Sequence, residues 1–131
     1  AAGTGPARAM RWALDDAGLL PTDIAYVNAH GSATVQNDAA ETAAIKRVFG
    51  DHAYRLMVNS TKSMIGHCFG AAGVLEGLAT VMAVYTDTVH PTINLENPIP
   101  PAEIRYAMSN SFGLGGQNAC ILVGKHSTAE S

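Results

Sequence analysis

From Cys68 to Tyr85 the chain runs through apolar and small residues broken by a single charge, Glu76. No other feature restricts the fold as much. The stretch approaches the length of a membrane span. Glu76 and the run Gly70-Ala71-Ala72-Gly73 argue instead for a helix buried on all sides within a globular domain. A carboxylate more than two turns into such a helix needs a counter-charge, because an unpaired buried charge is severely destabilising. The loop at 60–66 leads straight into this helix and carries Lys62, the nearest candidate. A direct or single-water contact between Lys62 and Glu76 is therefore expected.

The rest of the chain supplies a layer for that helix to pack on. A chain of 131 residues, 47% hydrophobic and 15% charged, fits one compact domain of residues 1–131 with a sizeable core. Pro6 opens a helix that Gly18 can close, with Met10, Ala13, Leu14 and Ala17 on one face. A short strand is expected at 24–28 and a polar loop at 29–37. Asp38 and Glu41 read as the capping pair of a second helix, whose buried stripe is Ala44, Ile45, Val48 and Phe49 and whose stop is Gly50. A strand at 56–59, the loop at 60–66 and the long helix follow. Prolines 91, 98, 100 and 101 make an extended connector, and strands at 104–109 and 118–123 are joined by a glycine-rich turn. The order is that of an α/β fold, a sheet between helices with an antiparallel pair at its end.

Three polar clusters fall where strands end: Asn28-Ala29-His30-Gly31-Ser32, 60–67 with Lys62 and His67, and 110–116 with Phe112 and Leu114. In open α/β sheets ligands bind beyond the strand ends. A metal site lacks ligands, since Cys68 and His67 are adjacent and their side chains diverge. Cys68 at a helix start is a possible thiolate nucleophile, but a free cysteine on an apolar helix is more often a small packing residue. Cys120 reads as core, and His52, His90 and His126 as surface or packing residues. Gly113-Leu114-Gly115-Gly116 has no lysine of a phosphate loop. A net charge of -3 gives no electrostatic reason for nucleic acid or an anionic membrane. Two distant cysteines suggest reduced thiols in the cytoplasm. The absence of a methionine at Ala1 reads as a start inside a longer chain.

Together the clusters resemble the β-ketoacyl-acyl-carrier-protein synthases. The matching segments are Val27-Asn28-Ala29-His30-Gly31-Ser32-Ala33-Thr34, Asn59-Ser60-Thr61-Lys62-Ser63-Met64-Ile65-Gly66-His67 and Ser109-Asn110-Ser111-Phe112-Gly113-Leu114-Gly115-Gly116, with Pro91-Thr92-Ile93-Asn94-Leu95 between them. The resemblance implies the carboxy-terminal half of a thiolase-like fold, with the nucleophilic cysteine in the absent amino-terminal half. It implies that His30 and His67 are catalytic histidines, Lys62 the active-site lysine and Glu76 its acidic companion. Leu114 would offer a backbone N–H to an oxyanion, and Ser32, Thr34 and Phe112 would meet the substrate arm. No cofactor is implied beyond the phosphopantetheine on the acyl carrier protein, the expected partner, and the parent would be a homodimer of fatty-acid or polyketide synthesis.

The chain departs from the family pattern at Leu114 in place of a gating phenylalanine, at Ala33, at His90 and in a short connector after Pro98. Two rivals remain at this point. A thiolase would need a cysteine in the 113–117 turn, where none stands. A non-catalytic partner subunit of the chain-length-factor type shares the fold, but both histidines and Lys62 are present here.

Overall fold

The computed structural model describes residues 3–93, 102–113 and 115–126. Helix α1 (Thr4–Ala17) ends at Gly18, which takes the left-handed conformation (φ 65°) and caps Asp15 and Leu14 carbonyls. A turn at Pro21–Asp23 leads into strand β1 (Ile24–Asn28), and helix α2 (Val35–Phe49) follows. Strand β2 (Met57–Asn59), the one-turn helix α3 (Lys62–Ile65), and helix α4 (Ala72–Thr86) come next. Strands β3 (Tyr106–Phe112) and β4 (Asn118–Gly124) complete the described elements.

The four strands pair in the order β2-β1-β3-β4. Strand β1 runs parallel to β2 and β3, and β3 and β4 form an antiparallel hairpin. On one face α1 and α2 bury Ala7, Met10, Leu14, Ala44, Ile45, Val48 and Phe49 against Ile24, Val27 and Met108. On the other, Ala83 and Val84 of α4 pack with Tyr26, Ile104 and Ala107. The expected α/β sandwich is therefore present, with the helix and strand order read from the sequence.

Four expectations need correction. Helix α2 starts earlier than the Asp38–Glu41 pairing implied: Thr34 is its N-cap, and the Thr34 hydroxyl accepts from the Asn37 backbone N–H at 3.2 Å. The segment after β2 is not all loop, because α3 forms around Lys62. Strand β3 begins later and runs further than 104–109, so Asn110, Ser111 and Phe112 lie within the sheet, paired with Cys120, Ala119 and Asn118. Finally, α4 is not buried on all sides. Ala72, Glu76, Thr80, Ala83 and Val84 face the sheet, while Val74, Leu78, Val81, Met82 and Tyr85 are exposed. The described chain offers the helix one apolar neighbour, the sheet, and an all-round apolar helix needs two. The segment Phe69–Thr86 is long and apolar enough to cross a membrane by length and composition. The connector's 94–101 stretch and Leu114 lie outside the described residues.

Candidate active site

Strand β1 and the α3 turn deliver the first two site residues to the same end of the sheet. His30 follows the end of β1, and its backbone is fixed before its ring is considered. The Glu41 carboxylate accepts from the backbone N–H groups of His30 and Gly31, each at 2.9 Å, and from the Asn110 amide at 3.2 Å. Gly31 has φ 43° and a Cβ there would lie 2.5 Å from Ser60 Cβ, so only glycine fits this turn. The same spot brings the Ser60 hydroxyl to the Gly31 carbonyl at 3.2 Å, tying the His30 loop to the Lys62 loop.

Lys62 is buried, and its ammonium forms an ion pair with the buried Glu76 carboxylate. The expected contact between them is direct. The other Glu76 oxygen has no hydrogen-bond partner among the described residues. Burial accordingly raises the Glu76 carboxyl above its ordinary range, with the Lys62 ammonium pulling the other way. The Lys62 Nζ also lies 3.4 Å from His30 Nδ1. Burial first, then the positive Lys62, lowers His30 from 6.5 to about 4, so its imidazole is neutral at physiological pH.

His67 closes the group from the start of the α4 region. The His30 and His67 rings lie 5.7 Å apart, edge to face, and Phe112 lies 5.6 Å from His30 on the third side. The Phe69 backbone N–H donates to His67 Nδ1 at 3.1 Å. Phe69 itself has φ 47°, a left-handed conformation costly for a bulky residue, and its ring stacks on His67 at 4.9 Å. In both histidines Nδ1 faces a donor, so the neutral ring carries its proton on Nε2. The result is two imidazole N–H donors at one end of a cleft of about 880 Å³. Its walls include Ser32, Thr34, Glu76, Ser111, Phe112 and Asn118.

Of the residues expected to matter, His30, His67, Glu76, Ser32, Thr34 and Phe112 therefore line one cleft, Lys62 is buried against His30 and Glu76, and Leu114 lies outside the described residues. Three others were missed. Glu41 was assigned to a cap, yet it lies at i, i+3, i+4 and i+7 with Ala44, Ile45 and Val48. That spacing marked it as buried, and a buried carboxylate must have partners. Asn28 is fully buried and its amide bridges Thr61 (2.8 Å) and the Glu76 carbonyl (3.2 Å), joining β1 to α4. His90 is no bystander. Its Nε2 lies 3.0 Å from the Thr61 hydroxyl, and Asn59 donates to its carbonyl at 2.9 Å. Cys120 packs against the core and burial pushes its thiol up to about 12, as a core residue requires.

The family model described as β-ketoacyl synthase, C-terminal domain, matches residues 1–96. The chain belongs to that family. A 3-oxoacyl-[acyl-carrier-protein] synthase 2 of Synechocystis sp. is 48% identical, covering 95% of this chain and 33% of that protein. Nodulation protein E of Rhizobium leguminosarum bv. trifolii is 52% identical, over 89% of this chain and 32% of its own length. Among solved structures, a β-ketoacyl synthase from Burkholderia phymatum superposes with a TM-score of 0.86 at 36% identity, covering 96% of this chain and 33% of that one. The AntDE:AntF complex, a type II polyketide acyl-carrier protein with its ketosynthase bound to the hexaketide, gives 0.85 at 36% identity. It covers 92% of this chain and 33% of that one. The ketosynthase chain thus spans about a third of the curated relatives it matches, and its fold is the thiolase-like fold of these neighbours.

Proposed function

We propose that this chain is the histidine–lysine portion of a β-ketoacyl synthase that condenses an acyl thioester with a malonyl group borne on an acyl carrier protein. The nucleophilic cysteine lies in the remainder of the parent protein. In this reading an acyl group sits on that cysteine. The malonyl C–C bond breaks, carbon dioxide leaves, and the electron pair moves onto the malonyl thioester oxygen as an enolate. The enolate carbon attacks the cysteine-bound carbonyl and the cysteine thiolate departs. The reading includes a cytoplasmic homodimer and a phosphopantetheine that arrives on the carrier and passes Ser32 and Thr34.

The single observation that carries the proposal is the placement of His30 and His67 side by side at the cleft, each with its Nδ1 facing a donor. Two neutral imidazoles with Nε2–H at one cleft are suited to holding a thioester oxygen as charge builds on it. Burial, helped by the Lys62 ammonium beside it, keeps the His30 ring neutral and hence a donor that does not lose its proton to the enolate. The exposed apolar face of α4 supports the rest of the reading, because it fits a second layer of the parent fold. The α4 helix is held to α3 by the Lys62–Glu76 pair and to strand β1 by Asn28, which argues against its leaving for a bilayer.

The test uses the full-length protein with malonyl carrier protein. His30→Ala or His67→Ala should cut decarboxylation about a hundred- to a thousand-fold while leaving self-acylation largely intact. Acylation lost with decarboxylation retained would reverse the assigned roles. The isolated 131-residue chain should give no β-ketoacyl product above a no-protein control.

A further inference from the structure

Thr61 stands at the N-cap of α3, the four-residue turn that carries Lys62, yet its side chain does not cap that turn. A threonine in this place usually gives its hydroxyl oxygen to the first N–H groups of its own helix. Thr61 turns inward instead. Asn28 grips it twice: the Asn28 amide donates to the Thr61 hydroxyl at 2.8 Å, and the Thr61 backbone N–H donates to Asn28 Oδ1 at 3.3 Å. With its oxygen accepting from Asn28, the buried hydroxyl needs an acceptor for its own proton, because a buried polar group left unpaired is costly. Among the described residues the one partner left for that proton is His90 Nε2, at 3.0 Å.

The His90 ring is set to receive it. Its Nδ1 lies 2.8 Å from the Pro91 carbonyl, an acceptor, and 3.4 Å from the Asn59 amide nitrogen, a donor. The shorter contact places the ring proton on Nδ1 and leaves Nε2 bare to accept from Thr61. This tautomer is the reverse of that in His30 and His67. The backbone of His90 is held as well, since Asn59 Nδ2 donates to its carbonyl at 2.9 Å. Asn59 is itself fixed by the buried Tyr26 hydroxyl, which donates to its Oδ1 at 2.6 Å. Lys62 follows Thr61 directly, and its Nζ must reach both Glu76 and His30 Nδ1, the latter at 3.4 Å. We propose that His90 is a positioning residue of the condensing site: it holds Thr61, and through Thr61 it keeps the Lys62 ammonium aligned on His30 and Glu76. The step rests on the ketosynthase reading above. His90 is not among the residues lining the cleft, so it acts on the chemistry at His30 and leaves substrate binding alone.

The full-length protein with malonyl carrier protein tests this. His90→Ala should lower kcat for decarboxylation about ten- to a hundredfold, the scale of a small misplacement at a reacting group, while KM changes by less than about twofold. His90→Gln sets an amide oxygen near the place of Nε2 and should bring kcat back to within about threefold of wild type. Thr61→Val keeps the shape and removes the hydroxyl, so it should match His90→Ala. The double variant should lose no more than either single one, because both break the same link. Thermal melting checks folding, and if His90→Ala unfolds, His90→Leu, which fills the ring's space without an acceptor, takes its place in every comparison. Wild-type kcat, a loss carried by KM, or losses that multiply in the double variant would each overturn the proposal. Ring nitrogen shifts of labelled histidine give a readout apart from turnover. His30 should hold its proton on Nε2 in wild type and His90→Gln, and should become a mixture of tautomers in His90→Ala. If the wild-type protein does not decarboxylate malonyl carrier protein, the ketosynthase reading fails and the His30 tautomer alone decides: a mixture in His90→Ala upholds the coupling, and an unchanged tautomer overturns it.

Discussion

The two helical layers flanking the sheet are built for different neighbours. Helix α1 is amphipathic: Ala7, Met10 and Leu14 enter the core while arginines and aspartates face outward. Helix α4 has an apolar outer face of Val74, Leu78, Val81 and Met82, and its most demanding polar residue, Glu76, points inward. A helix that reserves its charge for the interior and shows hydrocarbon to the outside is suited to a further covering layer, whereas the charged outer face of α1 is suited to water.

The strongest way to break that comparison is to place a charge on each outer face. In the full-length protein Leu78→Asp, at a residue 58% exposed in this chain, should abolish soluble folded protein, because the new carboxylate would be buried without a partner. Trp12→Asp, at a residue 63% exposed, should shift stability by no more than about 0.5 kcal/mol. Soluble yield and denaturant midpoints check both. Equal tolerance would mean that α4 has no covering layer.

Next in size is the charge inside α4. Glu76→Ala leaves the Lys62 ammonium buried and alone, and removing one partner of a buried pair typically costs about 3–5 kcal/mol. Glu76→Gln keeps a hydrogen-bond acceptor for Lys62, so it should cost less and lower activity without abolishing folding. Urea unfolding separates the two. An Ala variant within 1 kcal/mol of wild type, a threshold well below that range, would mean that Lys62 finds another partner or water.

That pair also shows what a sequence discloses. A lone carboxylate in an apolar helix demands a cation, and Lys62 is the nearest candidate, so the contact is legible before any coordinates. The bounds of β1 were equally legible, being marked by Pro21 before and His30-Gly31 after. The open face of α4 was not. Periodicity measures how much apolar surface a helix has and is silent on which neighbour covers it. The length of β3 was hidden for a related reason. Asn110 and Ser111 look like loop residues, and only pairing with β4 and the Glu41 contact to Asn110 make them strand. Tertiary partners far along the chain decided both cases.

His30 gives the third effect, a pH dependence. Unfolded His30 takes up a proton near 6.5, whereas in the folded chain it does so at about 4. Between those values the unfolded state binds more protons, so stability from this group is intact above pH 6.5, falls as pH drops toward 4, and levels off below it. The full shift corresponds to a loss on the order of 3 kcal/mol at most. Glu76, raised by burial, has the opposite sign: its contribution is present at low pH and is lost as pH rises through its folded value. The difference between wild type and His30→Gln isolates the histidine, and that difference should narrow steadily from pH 7 to pH 4. A His30 Cε1–H resonance, assigned by its loss in His30→Gln, that titrates near 6.5 would refute the burial argument.

The smallest effect returns to the first layer and asks whether its helices are finished by their own side chains. Helix α2 begins at the Thr34 hydroxyl, which accepts the Asn37 N–H, while α4 begins at Ala71 with no capping side chain. A helix with an outer face in solvent depends on such a cap more than one clamped between two layers, because packing contributes less to holding its first turn. Thr34→Ala should therefore cost about 1 kcal/mol and Thr34→Ser only a few tenths. The same hydroxyl lines the cleft and lies 3.3 Å from Ser32, so the two variants also divide its duties. If capping is all it does, serine restores both stability and KM for malonyl carrier protein. If the Thr34 methyl also shapes the path of the arm, serine restores stability while KM stays raised about two- to fivefold, roughly 0.4–1 kcal/mol at 0.6 kcal/mol per factor of e, about the size of one removed buried methyl group. Denaturation curves and steady-state kinetics on the same two preparations distinguish these outcomes. Wild-type values for Thr34→Ala in both would leave the hydroxyl with neither duty.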